Sequence, residues 1–394
     1  MKYLQGCIAL SSVLVCLLTG CATSLRTVLP GPVSDAIRQP VAPRTIRVAL
    51  GKSTASATVN VAGPGIMYDC QHNRTLQRFV TLPATTFTVG PGGMLAANGR
   101  SIGCQRVSIV PDAQETLWID SILYRGKCEV LVNDSGTLTV VNILGLEEYL
   151  LGVVPKETFP SWPREALRAQ AVAARGFAMY HFQFNRKREY DIVAPLHQLY
   201  GGVNAETPST TKAVYDTEGQ YLEYKGAPLC AFFGTCCGGR TEYAPNIFPD
   251  VKTFPASVAV DYCKGSPHYA WTYSVSRSVL EEKLKRNGKS LNGPVSKVEI
   301  LKRFASGRVA LMRIYSSGSV VDITGEECRK ILGYNEVKST LFSIRISGGR
   351  LVFSGRGWGH GVGLCQWGSK GMADKGFSYE EILKQYYPGA VLVH

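Results

Sequence analysis

The chain has 394 residues, of which 45% are hydrophobic and 19% charged, so it is long enough for one large globular domain or two packed ones. Its formal net charge of +13 at pH 7 predicts an anionic partner. A nucleic acid is disfavoured as that partner, because the sequence has no basic helix and no aromatic-basic RNA motif and begins with an export signal.

Residues 1–20 have the features of a lipoprotein signal peptide. Lys2 precedes the apolar run IALSSVLVCLL, which is too short to span a bilayer comfortably. The run ends in Leu-Thr-Gly-Cys, which resembles a bacterial lipobox and predicts cleavage before Cys21 and lipid attachment to that residue. We expect an exported protein anchored by lipid to a bacterial membrane and facing the periplasm or cell wall. A plain signal peptide or an anchor helix is the alternative.

The next two segments differ in composition. Residues 21–44 contain four prolines and little periodicity, which predicts a flexible tether. Residues 45–140 carry short β-branched runs such as TIRVAL, ATVNVA and KCEVLV between Gly, Asn and Asp turns, which predicts a mainly β N-terminal region.

An alanine-rich helix follows, and Glu157 just ahead of it is the candidate catalytic acid. Ser161 can cap this helix and Pro163 suits its first turn, so the sequence predicts a start near Trp162. The positive end of the helix would lower the pKa of Glu157, whereas burial among neighbouring apolar residues would raise it. The sequence does not decide between the two effects. A glutamate that only complements a helix start is the simpler interpretation.

The rest of the chain mixes strand and helix patterns. Alternation in TTKAVYDTEGQYLEY and PLCAFFGTCCGGRTEYA predicts strands around a glycine turn. Residues 271–350 alternate strand-like runs with amphipathic pieces at SVLEEKLKR and EECRKIL, and EEILKQYYPGA predicts a short helix before Pro388. The expected fold class is α+β, with the β-rich region packed on a mixed α+β domain over residues 141–394.

The closing signature GRGWGHGVGLCQWG, residues 355–368, has glycines that allow sharp turns and close approach to a ligand. Its hydrogen-bonding and flat apolar side chains suit the binding of sugar rings, and these are Trp358, His360, Gln366 and Trp367. A glycine-rich structural turn with a core tryptophan is the alternative.

Nine cysteines follow Cys21, and export permits disulfides among them. A Cys237–Cys263 disulfide is favoured over a zinc site, because no C-x2-C pair is present. The zinc alternative would draw its ligands from Cys230, Cys236 or Cys237, Cys263 and His268.

Three segments in one order resemble the SpoIID/LytB family, the stage II sporulation protein D type, over roughly residues 120 to 394. They are E-x7-E-A-L-x-A-Q-A-x-A-A-R from Glu157 to Arg175, CGG-x-T-E at 237–242 and the closing signature. The resemblance implies that Glu157 is the acid/base of a lytic transglycosylase, which cleaves peptide-free (denuded) peptidoglycan strands between MurNAc and GlcNAc and leaves 1,6-anhydroMurNAc ends.

The resemblance also implies roles for other residues. Arg175 would contact a substrate carboxylate or orient Glu157, and substrate would be bound by Tyr200, Trp358, His360, Gln366 and Trp367. Some relatives are described as amidase enhancers, so the alternative is a non-catalytic glycan-binding protein that stimulates an N-acetylmuramoyl-L-alanine amidase. Some relatives bind zinc ahead of a Gln-x-Tyr-x-Gly motif, where this chain keeps only His197. We therefore expect no cofactor, with zinc the less favoured possibility.

Overall fold

The computed structural model describes residues 45–113 and 115–394 of the chain. The predicted signal peptide (1–20), the lipidation site Cys21 and the tether (21–44) lie outside these residues. In the part of the chain that the structure describes, no helix has both the length and the apolar character needed to cross a membrane.

Two antiparallel sheets build the N-terminal region and share one core, as the β-branched runs predict. In β2 every second side chain (Ala57, Val59 and Val61) is buried, which is the period of a strand with one face on a core. The strands are β1 Thr45–Thr54, β2 Ser56–Val61, β3 Gly65–Asp69, β4 Arg74–Phe79, β5 Leu82–Val89, β6 Leu95–Ala97, β7 Arg100–Ser101, β8 Arg106–Pro111, β9 Leu117–Ile119, β10 Ile122–Tyr124, β11 Lys127–Val132 and β12 Leu138–Gly145.

The larger sheet continues into the rest of the chain. Strand β12 crosses the predicted domain boundary between residues 140 and 141 and pairs with β1 along its whole length. On its other side β1 pairs in parallel with β13, Ile192–Val193, which follows the long helix. The sheet of the β-rich region therefore extends into residues 141–394.

Seven α-helices lie in the described residues, and the alanine-rich one is central. Its small side chains are buried on several faces, so that four other helices pack closely against it. The helices are α1 Leu146–Glu157, α2 Arg164–Phe184, α3 Pro208–Asp216, α4 Arg277–Arg286, α5 Gly325–Leu332, α6 Gln366–Ala373 and α7 Tyr379–Tyr386; α1, α3, α6 and α7 contact α2.

Two predictions about these helices are wrong in detail. Helix α2 begins at Arg164 rather than near Trp162, and its N-cap residue is Pro163, with no side-chain cap from Ser161. The segment predicted as a strand from TTKAVYD forms α3, because Pro208 suits a first helical turn and Thr210, Ala213 and Val214 are buried with a helical period.

The C-terminal half contains small sheets. Residues 270–356 form two three-stranded sheets that enclose their own core with α4 and α5, as their alternating patterns predict. The remaining strands are β14 Tyr221–Tyr224, β15 Ala227–Pro228, β16 Phe233–Gly234, β17 Ala270–Ser276, β18 Val295–Arg303, β19 Val309–Ser316, β20 Val320–Thr324, β21 Phe342–Ser347, β22 Arg350–Arg356, β23 Leu364–Cys365 and β24 Val391–Val393. A mixed α+β fold is thus confirmed.

Candidate active site

Glu157 is the last residue of α1, and its carboxyl group is half-buried. The backbone N–H of Leu199 donates to its Oε1 atom, with an N···O distance of 2.6 Å. The Nε2 atom of Gln366, the first residue of α6, donates to the backbone carbonyl of Glu157 at 2.9 Å. The structure therefore brings the predicted acid next to the loop before Tyr200 and to the closing signature.

Burial raises the pKa of Glu157 to about 7, although the Leu199 bond lowers it. No ion pair from the described residues reaches its carboxylate. The helix dipole also differs from the prediction, because Glu157 lies at the negative end of α1 rather than before the positive end of α2. Helix end and burial act in the same direction, and both favour the protonated acid.

The backbone amide of Leu199, which donates to Glu157, is held in place by the neighbouring residues Gln198 and Tyr200. The side chain of Gln198 is buried, accepts from the Tyr149 hydroxyl at 2.9 Å and donates to the Ala174 carbonyl at 3.3 Å. The Tyr200 hydroxyl donates to Oδ1 of Asn142 at 2.9 Å. Tyr200 is thus anchored in the core between the sheet and α1 instead of presenting its hydroxyl to a substrate. The anchoring role of the Gln-x-Tyr spacing was not recognised in the sequence.

His360 is a neutral histidine with both ring nitrogens occupied. The N–H of Val362 donates to Nδ1 at 2.9 Å, so the proton resides on Nε2, which lies 3.1 Å from the Phe233 carbonyl and donates to it. Burial lowers its pKa to about 4, and the charges of Arg308 and Arg329 add to this effect. His360 therefore cannot serve as a general acid near neutral pH while these bonds hold.

A cavity of about 660 Å³ has His360 in its wall. Its lining is largely aromatic, with Phe177, Phe232 and Phe248 among the contributors, and Arg188 and Asp250 are its charged members. The same loop that contacts Glu157 supplies Leu196 and His197 to this wall. Glu157 itself does not line the cavity.

The two tryptophans of the closing signature lie in different surroundings. Trp367 packs edge-on against Trp162 at a centroid distance of 5.3 Å, and the 58% exposed Phe159 lies 5.4 Å from Trp162. In this aromatic cluster (Phe159, Trp162 and Trp367), the first two residues follow Glu157 closely in the chain and Trp367 follows Gln366 in α6. Trp358 instead packs on the His268 ring at 4.3 Å and against Lys338. No contact places Trp358 beside Glu157 within the described residues.

Gln366 is almost fully buried, and its Nε2 atom also lies 3.4 Å from Oε1 of Gln170. Gln366 therefore holds the backbone of Glu157 in place, and its buried amide is not exposed to bind a sugar.

Arg175 does not fit the predicted contact with substrate. Its side chain is 0% exposed and forms a bidentate pair with Glu147, at 2.8 and 2.7 Å. It also donates to the Gln220 carbonyl at 2.8 Å. The A-A-R arginine thus joins α2 to the first turn of α1.

The glycines of the CCGG segment and of the closing signature allow two backbones to meet. Cys236 and Trp358 exchange both backbone hydrogen bonds, at 3.1 and 2.9 Å. A Cβ atom on Gly238 would lie 2.7 Å from the Arg356 carbonyl carbon, and one on Gly357 would lie 2.5 Å from the Cys236 oxygen. Both glycines have positive φ. Only glycine suits these positions.

The nine cysteines of the described residues are free thiols, so the predicted Cys237–Cys263 disulfide is not formed in this structure. The Sγ atoms of Cys237 and Cys263 are nevertheless only 3.7 Å apart. Cys365 of the closing signature lies beside this pair, a contact that the sequence pattern did not predict. Cys230 lines the cavity instead and His268 packs on Trp358, so neither belongs to this group.

Two family models match the chain. The model described as stage II sporulation protein matches residues 134–224, which include Glu157, α1 and α2. A model described as a domain of unknown function matches residues 257–363.

Three relatives extend these matches. An uncharacterized protein of Brachyspira hyodysenteriae is 33% identical over 350 residues, which cover 88% of this chain and 92% of that protein. Stage II sporulation protein D of Bacillus amyloliquefaciens is 31% identical over 292 residues, covering 70% of this chain and 82% of the relative. The amidase enhancer of Bacillus subtilis is 29% identical over 290 residues, or 62% of this chain and 40% of the enhancer. The match therefore spans less than half of the enhancer's length.

Proposed function

Because the chain belongs to the stage II sporulation protein D family, we propose that it is a peptidoglycan lytic transglycosylase. Its substrate would be denuded glycan, cleaved between MurNAc and GlcNAc to leave 1,6-anhydroMurNAc ends. Glu157 is the single acid/base in this proposal. The observation that carries the proposal is the half-buried carboxyl of Glu157, whose pKa is raised to about 7.

A single carboxyl group suffices if the sugar supplies its own nucleophile. The protonated Glu157 donates its proton to the glycosidic oxygen as the bond from C1 of MurNAc to that oxygen breaks. The C6 hydroxyl of the same MurNAc then forms the new bond to C1, and its proton passes to the Glu157 carboxylate. The acid is regenerated and no water is consumed. An ordinary glycosidase would instead need a second carboxylate about 5–9.5 Å from the first.

Mass spectrometry of denuded strands incubated with the pure protein tests the proposal. We expect anhydro ends with the wild-type chain and none with Glu157→Gln, which keeps the shape of the side chain but cannot donate an acidic proton. Glu218→Gln, at an exposed glutamate, is the matched control and should retain activity. Full activity in Glu157→Gln would refute the assignment, and new reducing ends in place of anhydro ends would indicate a hydrolase.

The second candidate function is a non-catalytic enhancer of a peptidoglycan amidase, which the name of the Bacillus subtilis relative favours. In that case the same incubation would leave denuded strands intact. Adding the protein to an N-acetylmuramoyl-L-alanine amidase would then raise the rate of stem-peptide release from whole peptidoglycan. The Glu157→Gln variant would stimulate as well as the wild type, because binding alone would be required.

The proposed reaction needs partners and a location. An amidase must act first, since the substrate is a strand without stem peptides. We also propose that the protein is exported and held at a bacterial membrane by lipid on Cys21, facing the periplasm or cell wall. The Leu-Thr-Gly-Cys sequence supports this location.

A further inference from the structure

Four buried cysteines converge behind the closing signature. The Sγ atoms of Cys236, Cys263 and Cys365 all lie within 4.8 Å of one another. The Sγ atom of Cys237 lies 3.7 Å from that of Cys263. We propose that this four-cysteine cluster (Cys236, Cys237, Cys263 and Cys365) binds one zinc ion as a structural site. The inference is independent of the reaction proposed above.

The spacing of the sulfur atoms suits ligands around a shared ion. Four sulfurs at about 2.3 Å from a tetrahedral zinc ion would be about 3.8 Å from one another. The distance of 3.7 Å between Cys237 and Cys263 is close to this edge. A disulfide would require about 2.05 Å. The sulfurs of Cys236, Cys263 and Cys365 are mutually close, which one disulfide could not explain; that of Cys237 is close to Cys263 but outside this group of three, so it would have to move toward the ion.

The surroundings of the four-cysteine cluster suit a negatively charged centre. Arg308 is 0% exposed, and its Nη2 atom donates to the Cys237 carbonyl at 2.6 Å. Its Nε and Nη1 atoms have no hydrogen-bond partner among the described residues. A buried cation is costly unless opposite charge lies near it. Glu242 provides one such charge, and zinc bound by four thiolates would add a net charge of −2.

Hydrogen-bond donors also face the sulfur of Cys365. The backbone N–H groups of Cys237 and Gly368 donate to it, at 3.2 and 3.3 Å. The Tyr386 hydroxyl is buried and lacks a hydrogen-bond partner within the described part of the chain. It lies close to Gly368, because a Cβ atom added to that glycine would be 1.9 Å from the hydroxyl oxygen. Donors of this kind stabilise metal-bound thiolates, because they compensate the charge on sulfur.

The zinc ion would hold segments that have little regular structure of their own. Residues 247–269, all of them described, form no helix or strand beyond one isolated bridge at Ala259. Cys263 is the member of the four-cysteine cluster that lies in this segment. Cys365 immediately precedes Gln366, which hydrogen-bonds to the Glu157 carbonyl. Zinc would therefore fix the start of α6 and, through it, the position of Glu157. The bound thiols would release their protons to solvent as the metal binds.

The test measures metal and thiols in the purified full chain, with zinc present during expression. We expect one zinc per chain by elemental analysis and, after denaturation without reductant, a mass with every cysteine reduced. Replacement of the ion by cobalt(II) should produce the intense visible absorption and thiolate-to-metal charge transfer of a tetrahedral sulfur site. Chelation should lower the Tm. These measurements need only the wild-type protein, so they hold even if a cysteine variant fails to fold.

Two variants add a matched comparison. Cys365→Ser should lose most of the zinc, whereas Cys70→Ser, at a half-buried thiol in the turn after β3, should retain it. A chain without zinc, two hydrogens lighter through a Cys237–Cys263 disulfide, would overturn the proposal. So would full zinc binding in Cys365→Ser. Neither result would refute the proposed role of Glu157, whose test is the formation of anhydro ends.

Discussion

The carboxyl group of Glu157 is set to change its protonation state near neutral pH. Its pKa of about 7 lies above the ordinary value for glutamate because the group is half-buried, and the single bond from Leu199 only partly offsets that burial. An acid with this pKa is present in both forms under physiological conditions. Both forms are needed in the proposed reaction, first as proton donor and then as base.

The rate of anhydro-end formation should therefore fall as the pH rises through about 7. The protonated form starts the reaction, and well above its pKa the protonated fraction falls about tenfold for each pH unit. The measurement is the initial rate on denuded strands in buffers that span neutral pH at constant ionic strength. A rate that stays constant far into the alkaline range would contradict the assigned role.

Replacing Arg175 should affect stability more than substrate affinity. Arg175→Met would leave Glu147 without its partner in a mostly buried setting and should cost about 3 kcal/mol in the free energy of unfolding. The KM for denuded strands should change little in whatever protein remains folded. Urea unfolding measures the free energy of unfolding, and the kinetics of glycan cleavage give the KM.

Arg168→Met is the matched control for this prediction. Arg168 is also on α2, but its partner Asp216 keeps a second arginine, Arg164, so the loss of stability should be smaller. A large increase in KM for Arg175→Met with unchanged stability would restore the predicted substrate contact.

The contacts of several predicted site residues differ from the roles that the sequence suggested for them. The Gln366 side chain contacts the Glu157 carbonyl, although the two residues lie in different motifs. Arg175 belongs to the same motif as Glu157, and Tyr200 to the Gln-x-Tyr-x-Gly motif, yet their polar ends contact Glu147 and Asn142 inside the protein. A linear pattern marks a residue as belonging to a motif. It does not reveal whether the residue contacts a substrate or a buried partner far along the chain.

At the scale of single elements, local signals predicted most of the secondary structure. The β-branched runs became strands, and EEILKQYYPGA became α7 because Ser378 and Glu381 form a capping box ahead of it. The failures occurred where tertiary contacts decide. TTKAVYD has residues common in strands but packs as α3 against α2. Glu157 is the last residue of α1, at the negative end of that helix, whereas the sequence predicted that the positive end of α2 would act on it.

Glycine positions in the closing signature should differ in their tolerance to alanine. Gly357 and Gly359 both have positive φ, at 81° and 104°. A Cβ atom on Gly357 would collide with the Cys236 carbonyl, whereas one on Gly359 would meet nothing within 4 Å. Either alanine substitution should lower the free energy of unfolding by about 1–2 kcal/mol, because a side chain is strained at positive φ. Gly357→Ala should lose at least about 1 kcal/mol more, because the paired backbones must separate.

Denaturant unfolding of the two alanine variants measures this difference. Gly359→Ala serves as the control for the backbone cost alone, since both substitutions add the same methyl group. Equal losses of stability would show that the close approach of the CCGG segment to the closing signature is not a tight constraint.

At the scale of the whole molecule, the net charge of +13 bears on what it binds. Removing the stem peptide frees the lactyl carboxylate of each MurNAc, so a denuded strand is a polyanion. Affinity for denuded strands should therefore fall as salt is raised, because screening shortens the reach of exposed charges to about 8 Å at physiological ionic strength. Co-sedimentation at several salt concentrations measures the effect.

A neutral chitin oligomer is the matched ligand for this measurement. It has the same sugar backbone without lactyl carboxylates, so its affinity should be lower and nearly independent of salt. Binding of both ligands with the same salt dependence would argue that charge contributes little to recognition.

The hydrogen bond from Gln366 to the Glu157 carbonyl joins residues 209 positions apart. During synthesis Glu157 leaves the ribosome long before Gln366, so the carboxyl group is first an ordinary solvated acid. The bond that supports Glu157 can therefore form only after Gln366 has left the ribosome. A chain truncated before α6 would lack this bond, so in the proposed reaction it would not present an assembled acid.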